Sequence, residues 1–280
     1  MIRKLIINHI RKTFIKNCIR FDTPRLNSEQ YPDEAKVEAD ILYDGTHKLD
    51  YYIPENCDPK EAYILIHGGA FVYGSKELDK CFGMHLAIAS GRMVANVDYT
   101  LMPETDLAGQ IGEIFAAIRY LTKDKGIETL HTIGDSAGGY LSILTGLLLH
   151  SPRMRADFGL GDDGLPAVGN IIAICTCYNA TPKTFAGYYF DKAGKLPHYI
   201  YDLTEAMAAY GCPPLTLVTG DHDEMLPFNR ELKQKADTLK VPVSYKEFNS
   251  AEDRIMHHVF PIAHPTWPES REVIDMCIRR

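Results

Sequence analysis

The stretch Gly134-Asp135-Ser136-Ala137-Gly138-Gly139 sets a serine among small residues. It lies where a short apolar run, Leu130 to Ile133, meets a helix-like run from Gly139 to Leu149. Gly-x-Ser-x-Gly at a strand-to-helix junction predicts a sharp, strained turn that holds the serine hydroxyl clear of the chain, ready to act as a nucleophile. Such a turn needs small flanks, because only glycine lets strand and helix close in on either side of the serine. Alone the pattern is short, and glycine-serine turns are common loop chemistry. The rest of the chain decides its meaning.

Working outward, apolar runs of strand length at 62–66, 93–97, 129–133, 170–176, 215–219 and 242–248 alternate with helix-like stretches. Those helices are expected at 79–89, 108–122, 137–149, 201–210, 227–239 and 268–279. Regular alternation of this kind predicts an α/β fold with a mostly parallel sheet covered on both faces. Lys36 to Tyr43 and Lys48 to Ile53 flank Asp44-Gly45, a hairpin signal that adds antiparallel strands at one edge. Pro24 to Pro32 reads as a connector. No repeat, low-complexity tract or composition break appears after it, so residues 36–280 read as one catalytic domain preceded by an N-terminal segment, 1–35.

That segment carries Arg3, Lys4, Arg11, Lys12, Lys16 and Arg20 with no acid before Asp22. Ile7, Ile10, Phe14, Cys18 and Phe21 recur at helical spacing, which predicts a basic amphipathic helix. It is expected to pack on the domain or cap an apolar pocket. Lying on an anionic membrane is the less favoured reading, since no second anchor is visible.

A formal charge of -7 leaves no basic footprint for nucleic acid. The seven cysteines, at 18, 57, 81, 175, 177, 212 and 277, include no pair with zinc spacing and histidine support, so no metal is expected. They read as reduced thiols. With no apolar run of bilayer length and no signal-peptide core at the N-terminus, a cytoplasmic location is the default expectation.

Three further stretches bear on Ser136. His67-Gly68-Gly69-Ala70-Phe71 follows the strand Ala62 to Ile66, and glycines past a strand end leave backbone N–H groups open to a substrate oxygen. Ester hydrolysis passes through a tetrahedral oxyanion, which such donors stabilise by roughly 3–4 kcal/mol each. The N–H of Ala137, next after the serine, is a further donor. His67 is read as a brace for this loop rather than a base. Thr219-Gly220-Asp221-His222-Asp223-Glu224-Met225 follows the strand Leu215 to Val218 and offers three carboxylates, of which one suffices to orient a histidine. Met256-His257-His258-Val259-Phe260 supplies two adjacent histidines that cannot both face the serine. Asp135, tied to the serine's own turn, reads as a loop brace.

The blocks His67-Gly68-Gly69-Ala70-Phe71, Val97-Asp98-Tyr99 with Pro103-Glu104, Gly134 to Gly139, and Asp223 with His258-Val259-Phe260 together resemble the hormone-sensitive-lipase-like family of α/β-hydrolase esterases. The likeness covers about residues 60–265 and keeps the blocks in order. It implies an α/β-hydrolase fold. It also implies Asp223 rather than Asp221 as the acid, and His258 rather than His257 as the base. Three departures stand out: Ala70 replaces a third glycine, Ala108 occupies a region where a second proline is usual, and Glu224 follows the acid where proline is frequent.

The expectation is therefore a cofactor-free carboxylesterase for short-chain acyl esters. Ser136, His258 and Asp223 form its triad, and Gly68, Gly69 and Ala137 its oxyanion hole. A carbohydrate deacetylase or amide hydrolase with the same triad is the alternative, and a non-catalytic binding module with a hydrolase fold a more distant one. Tyr178, Tyr188, Tyr189, Phe190, Tyr199 and Tyr201 are expected to pack over the sheet's end. Oligomeric state is not legible.

Overall fold

The structure is a computed structural model and describes residues 2–185 and 187–279. The chain opens with α1 (Ile2–Ser28) and a hairpin, β1 (Ala35–Leu42) and β2 (Lys48–Pro54). Strands and helices then alternate: β3 (Asp58–Ile66), α2 (Lys80–Ser90), β4 (Arg92–Val97), α3 (Leu107–Lys125), β5 (Thr129–Asp135) and α4 (Ser136–His150). A short α5 (Pro152–Asp157) precedes β6 (Ala167–Ile174), α6 (Leu203–Tyr210), β7 (Leu215–Gly220), α7 (Leu226–Thr238) and β8 (Val243–Phe248). The single-turn α8 (Phe260–Ala263) and α9 (Pro268–Ile278) complete the order.

The strands form one eight-stranded sheet in the order β1-β2-β4-β3-β5-β6-β7-β8. The hairpin is antiparallel and sits at one edge, and β3 to β8 run parallel. This is the α/β-hydrolase fold. Each parallel strand alternates its apolar side chains between two cores, as a two-residue period requires. On β3, Ala62, Ile64 and Ile66 enter the core under α3 and α4, while Tyr63 and Leu65 enter the core with α2 and α9. Register levels the strand ends: Ile66 lies opposite Val97 on one side and Gly134 on the other, and Asp135 lies opposite Ile174. Loops leaving β3, β5 and β7 therefore emerge at one ledge.

The N-terminal segment departs from the reading in two ways. The helix runs through Pro24 to Ser28, where a connector was expected. Pro24 lacks an N–H, but Arg25 compensates by anchoring the last turns: its guanidinium donates to the Leu78 carbonyl at 3.1 Å and pairs with Asp22 and Glu29. Tertiary hydrogen bonds thus override a local stop signal. The apolar face is also only partly inward. Ile7 is buried and Phe14 packs against the core, yet Ile10 and Phe21 stay 42% and 52% exposed. The helix rests on the tyrosine-rich connector, with Phe14 6.1 Å from Phe185 and the Tyr189 hydroxyl on Asn8. That connector packs over the sheet's end as expected, with Phe190 edge-on to Phe71.

Glycine is required where elements nearly touch. A Cβ on Gly138 would lie 1.9 Å from the Ile66 carbonyl oxygen, whereas one on Gly112, within α3, meets nothing inside 4 Å. Gly138→Ala is expected to destabilise by about 3 kcal/mol or more. Gly112→Ala should stabilise by about 0.5–1 kcal/mol through helix propensity. Urea unfolding of the two variants checks the pair.

Candidate active site

β5 ends at Asp135 and α4 begins at the very next residue, so the chain must turn from extended to helical within Ser136. Ser136 takes a left-handed backbone, φ 51°, which a side chain rarely adopts and which costs on the order of 1–3 kcal/mol. The surrounding glycines make this turn possible. A Cβ on Gly134 would meet the backbone of Gly138 at 2.4 Å, and one on Gly139 would meet the Thr176 hydroxyl at 2.7 Å. Thr176 in turn donates to the Ser136 carbonyl at 3.1 Å.

The hydroxyl of Ser136 lies 2.9 Å from His258 Nε2, and His258 Nδ1 lies 2.7 Å from Asp223 Oδ1. The chain of three side chains is continuous, though they come from the segments that follow β5, β7 and β8. Asp223 is held from several sides: Oδ2 accepts from the Thr219 hydroxyl at 2.7 Å and Oδ1 from the Met225 amide at 2.9 Å. The buried Cys175 thiol hydrogen-bonds to the same carboxylate. Burial would raise the Asp223 pKa, but these donors and His258 bring it below the usual carboxylate range. For His258 burial favours the neutral ring, yet the hydrogen bond and charge of Asp223 outweigh it and raise the imidazole above its ordinary value. Cys175, Asp223 and His258 offer ligand atoms within 4.8 Å of one another. Both ring nitrogens of His258 are committed to Asp223 and Ser136, so hydrogen bonding accounts for this cluster.

The other candidates of each block sit elsewhere. Asp221 accepts from the Ser250 amide and hydroxyl at 2.8 and 2.6 Å and from His222, which hold it at about 2 despite some burial. It is turn chemistry. Glu224 is exposed, and His257 turns its ring toward Phe21 and His264.

The loop after β3 closes against the turn. His67 is fully buried, its Nδ1 donating to the Gly68 carbonyl at 2.8 Å, and its ring stacks on Tyr99 at 4.3 Å. Burial holds this imidazole near 4, so it is neutral and braces the loop. Tyr99, from the Val97-Asp98-Tyr99 block, donates to the His67 carbonyl at 2.8 Å. Gly69 has φ 106°, and a Cβ there would strike the Tyr73 carbonyl at 2.1 Å. The Gly68 amide hydrogen-bonds to the Asp135 carboxylate. Over the serine lies a cavity of about 590 Å³, lined by Gly69, Phe71 and Val259 below and by Phe14, Cys18 and Phe21 of α1 above.

Sequence reasoning missed Thr219, Cys175 and Asp79. Thr219 stood inside the quoted block, and its place four residues before Asp223 was a usable signal. Cys175 reads as a small hydrophobe in an apolar run. Asp79, which lines the cavity floor, belongs to no block around the serine.

Comparisons with known proteins bear on the fold and the family. A model of the alpha/beta hydrolase fold family matches residues 63–260. An acetyl esterase of Salmonella paratyphi B is 22% identical over 239 residues, spanning 74% of this chain and 68% of that protein. An acetyl-hydrolase of Streptomyces hygroscopicus is 25% identical over 259 residues, spanning 85% and 80%. Esterase B of Lactobacillus rhamnosis, solved with a tributyrin phosphonate inhibitor, superposes with a TM-score of 0.85 at 25% identity, covering 96% of this chain and 92% of that one. The chain belongs to the α/β-hydrolase-fold family. No described helix is long and apolar enough to cross a membrane.

The opposed influences on His258 give a direct test. Its imidazole is expected to titrate above 6.5 by NMR. In Asp223→Asn the largest raising partner is gone while burial remains, so the midpoint should fall below that of the wild type.

Proposed function

We propose that the protein hydrolyses carboxylic esters with short acyl chains through an acyl-enzyme on Ser136. The observation that carries this reading is the unbroken relay from Ser136 through His258 to Asp223. His258 takes the hydroxyl proton as Ser136 attacks the ester carbonyl, and Asp223 stabilises the imidazolium that forms. Of the three residues expected at the oxyanion hole, Gly69 and Ala137 receive the oxyanion on their amides, while the Gly68 amide is spent on the Asp135 carboxylate and fixes the loop instead, each remaining donor contributing roughly 3–4 kcal/mol. His258 then protonates the departing alcohol. Water, deprotonated by the same ring, releases the acid and restores the serine.

Short acyl chains are supported by two observations. The cavity of about 590 Å³ is roofed by a single helix, which leaves little enclosed length for a long chain. The relatives named above act on acetyl groups by name, and the structural neighbour holds a tributyrin phosphonate inhibitor.

Ser136→Ala is expected to lower p-nitrophenyl acetate turnover by about 10,000-fold or more, and retained activity overturns the assignment. Across p-nitrophenyl esters the rate should peak between acetate and about hexanoate; a maximum at palmitate refutes the short-chain reading. Because His258 must be neutral to accept a proton and its pKa is raised, kcat/KM should fall on acidification with a midpoint above 6.5.

A further inference from the structure

Beside the serine's turn lies a pair of buried acids that the relay does not use. Asp135, the residue before the nucleophile, and Asp79, the residue before α2, are 5% and 1% exposed and lie against each other. Both oxygens of Asp79 and Oδ1 of Asp135 are shut away from solvent and lack a hydrogen-bond donor among the described residues. Although the two residues border the cavity, those oxygens have no surface for a water or a substrate to reach. A buried carboxylate without a donor is costly, and two in contact repel as well. The one donor that fits the space is a proton held between them.

We propose that Asp79 and Asp135 share one proton, so that the neutral acid of Asp79 donates to the carboxylate of Asp135 and the pair acts as a positioning device for the nucleophile and the oxyanion loop. It rests on the proposed esterase reaction only for its effect on rate. The Asp135 carboxylate also accepts from the Gly68 amide, so a single group ties the strand end before Ser136 to the loop after β3. A Cβ on Gly68 would sit 2.5 Å from Asp135 Oδ2, which shows how closely the loop is drawn onto this acid. The remaining negative charge faces His258 and favours its imidazolium. Burial first, and then the neighbouring acid, push Asp79 far above the ordinary carboxylate range, in keeping with a held proton. The other charged or titratable groups facing the pair are Arg25 and Asp22 from α1, Tyr52 from β2, Tyr99 from the loop after β4, Cys175 after β6, and His258, which Asp223 and Glu224 face as well.

The proton is read by infrared spectroscopy of the whole protein at about pH 8, where carboxyl groups with ordinary values are ionised. Wild type is expected to show a carboxylic-acid C=O band, which Asp79→Asn abolishes, since the amide supplies the donor and leaves Asp135 ionised. Absence of the band from wild type, or its persistence in Asp79→Asn, overturns the shared proton whether or not the protein is an esterase. Kinetics read the positioning role. Asp79→Leu should lower kcat on p-nitrophenyl acetate by roughly 10–100-fold with little change in KM, and Asp79→Asn should recover most of that loss. Asp135→Asn should move the acid limb of kcat/KM to lower pH, as a negative charge facing His258 is removed. Equal kcat in the Asn and Leu variants, or an unmoved acid limb, refutes the positioning role.

Discussion

Gly138 rests on the carbonyl of Ile66, with no room for even a methyl group between them. This contact brings the first turn of α4 against the end of β3, and much of the site follows from it. It forces the chain to reverse within one residue, so Ser136 is held in a left-handed backbone with its hydroxyl outward. It also sets the Gly68-Gly69 loop beside that hydroxyl, because the loop begins one residue beyond Ile66. The strain at Ser136 persists because the packing on both sides over-determines it. Parallel pairing of β3 with β5 keeps the two strand ends level, Ile66 opposite Gly134, so the contact is a matter of sheet register rather than loop chance.

The fold was legible because its signals are periodic and local. Six strand-length apolar runs alternated with helix-length stretches, and the Asp44-Gly45 turn marked the edge hairpin. The N-terminal segment was read less well, for a physical reason. Pro24 is a strong local stop signal, while the anchoring of Arg25 to the Leu78 carbonyl is a contact across the fold that no window of sequence contains. The same division holds in the site. Ser136 stood out by its own motif, and Asp223 and His258 stood out from the neighbouring acids and histidine through the family resemblance. Asp79 did not, since a lone aspartate ahead of a helix reads as a cap until the fold sets it against Asp135.

Electrostatically the site separates two kinds of acid by their donors. Asp223 is nearly as buried as Asp79, yet it has Thr219, Met225, Cys175 and His258 to receive from, and it stays ionised. Asp79 has no such company, and burial drives it toward the neutral form. Identical side chains thus hold opposite charge states a few residues from one serine, decided by the donors that surround each. His67 follows the same logic from the basic side. Enclosed without a charged partner it stays neutral, whereas His258, just ahead of α8, is raised by its acid.

Reacting groups and cavity lining also come from different parts of the molecule. Ser136, Asp223, His258 and the Gly68-Gly69 loop all leave the same ledge of the sheet, whose register fixes their separations. Phe14, Cys18 and Phe21 reach the cavity from α1, which lies outside the sheet and holds to the body through Arg25, Phe14 and the tyrosine-rich connector. A change in α1 therefore alters the shape of the cavity without moving the hydroxyl, the imidazole or the Gly68-Gly69 loop. Chemistry is set by the close approach of Gly138 to Ile66, and the fit of an acyl chain by a helix that the contact does not constrain.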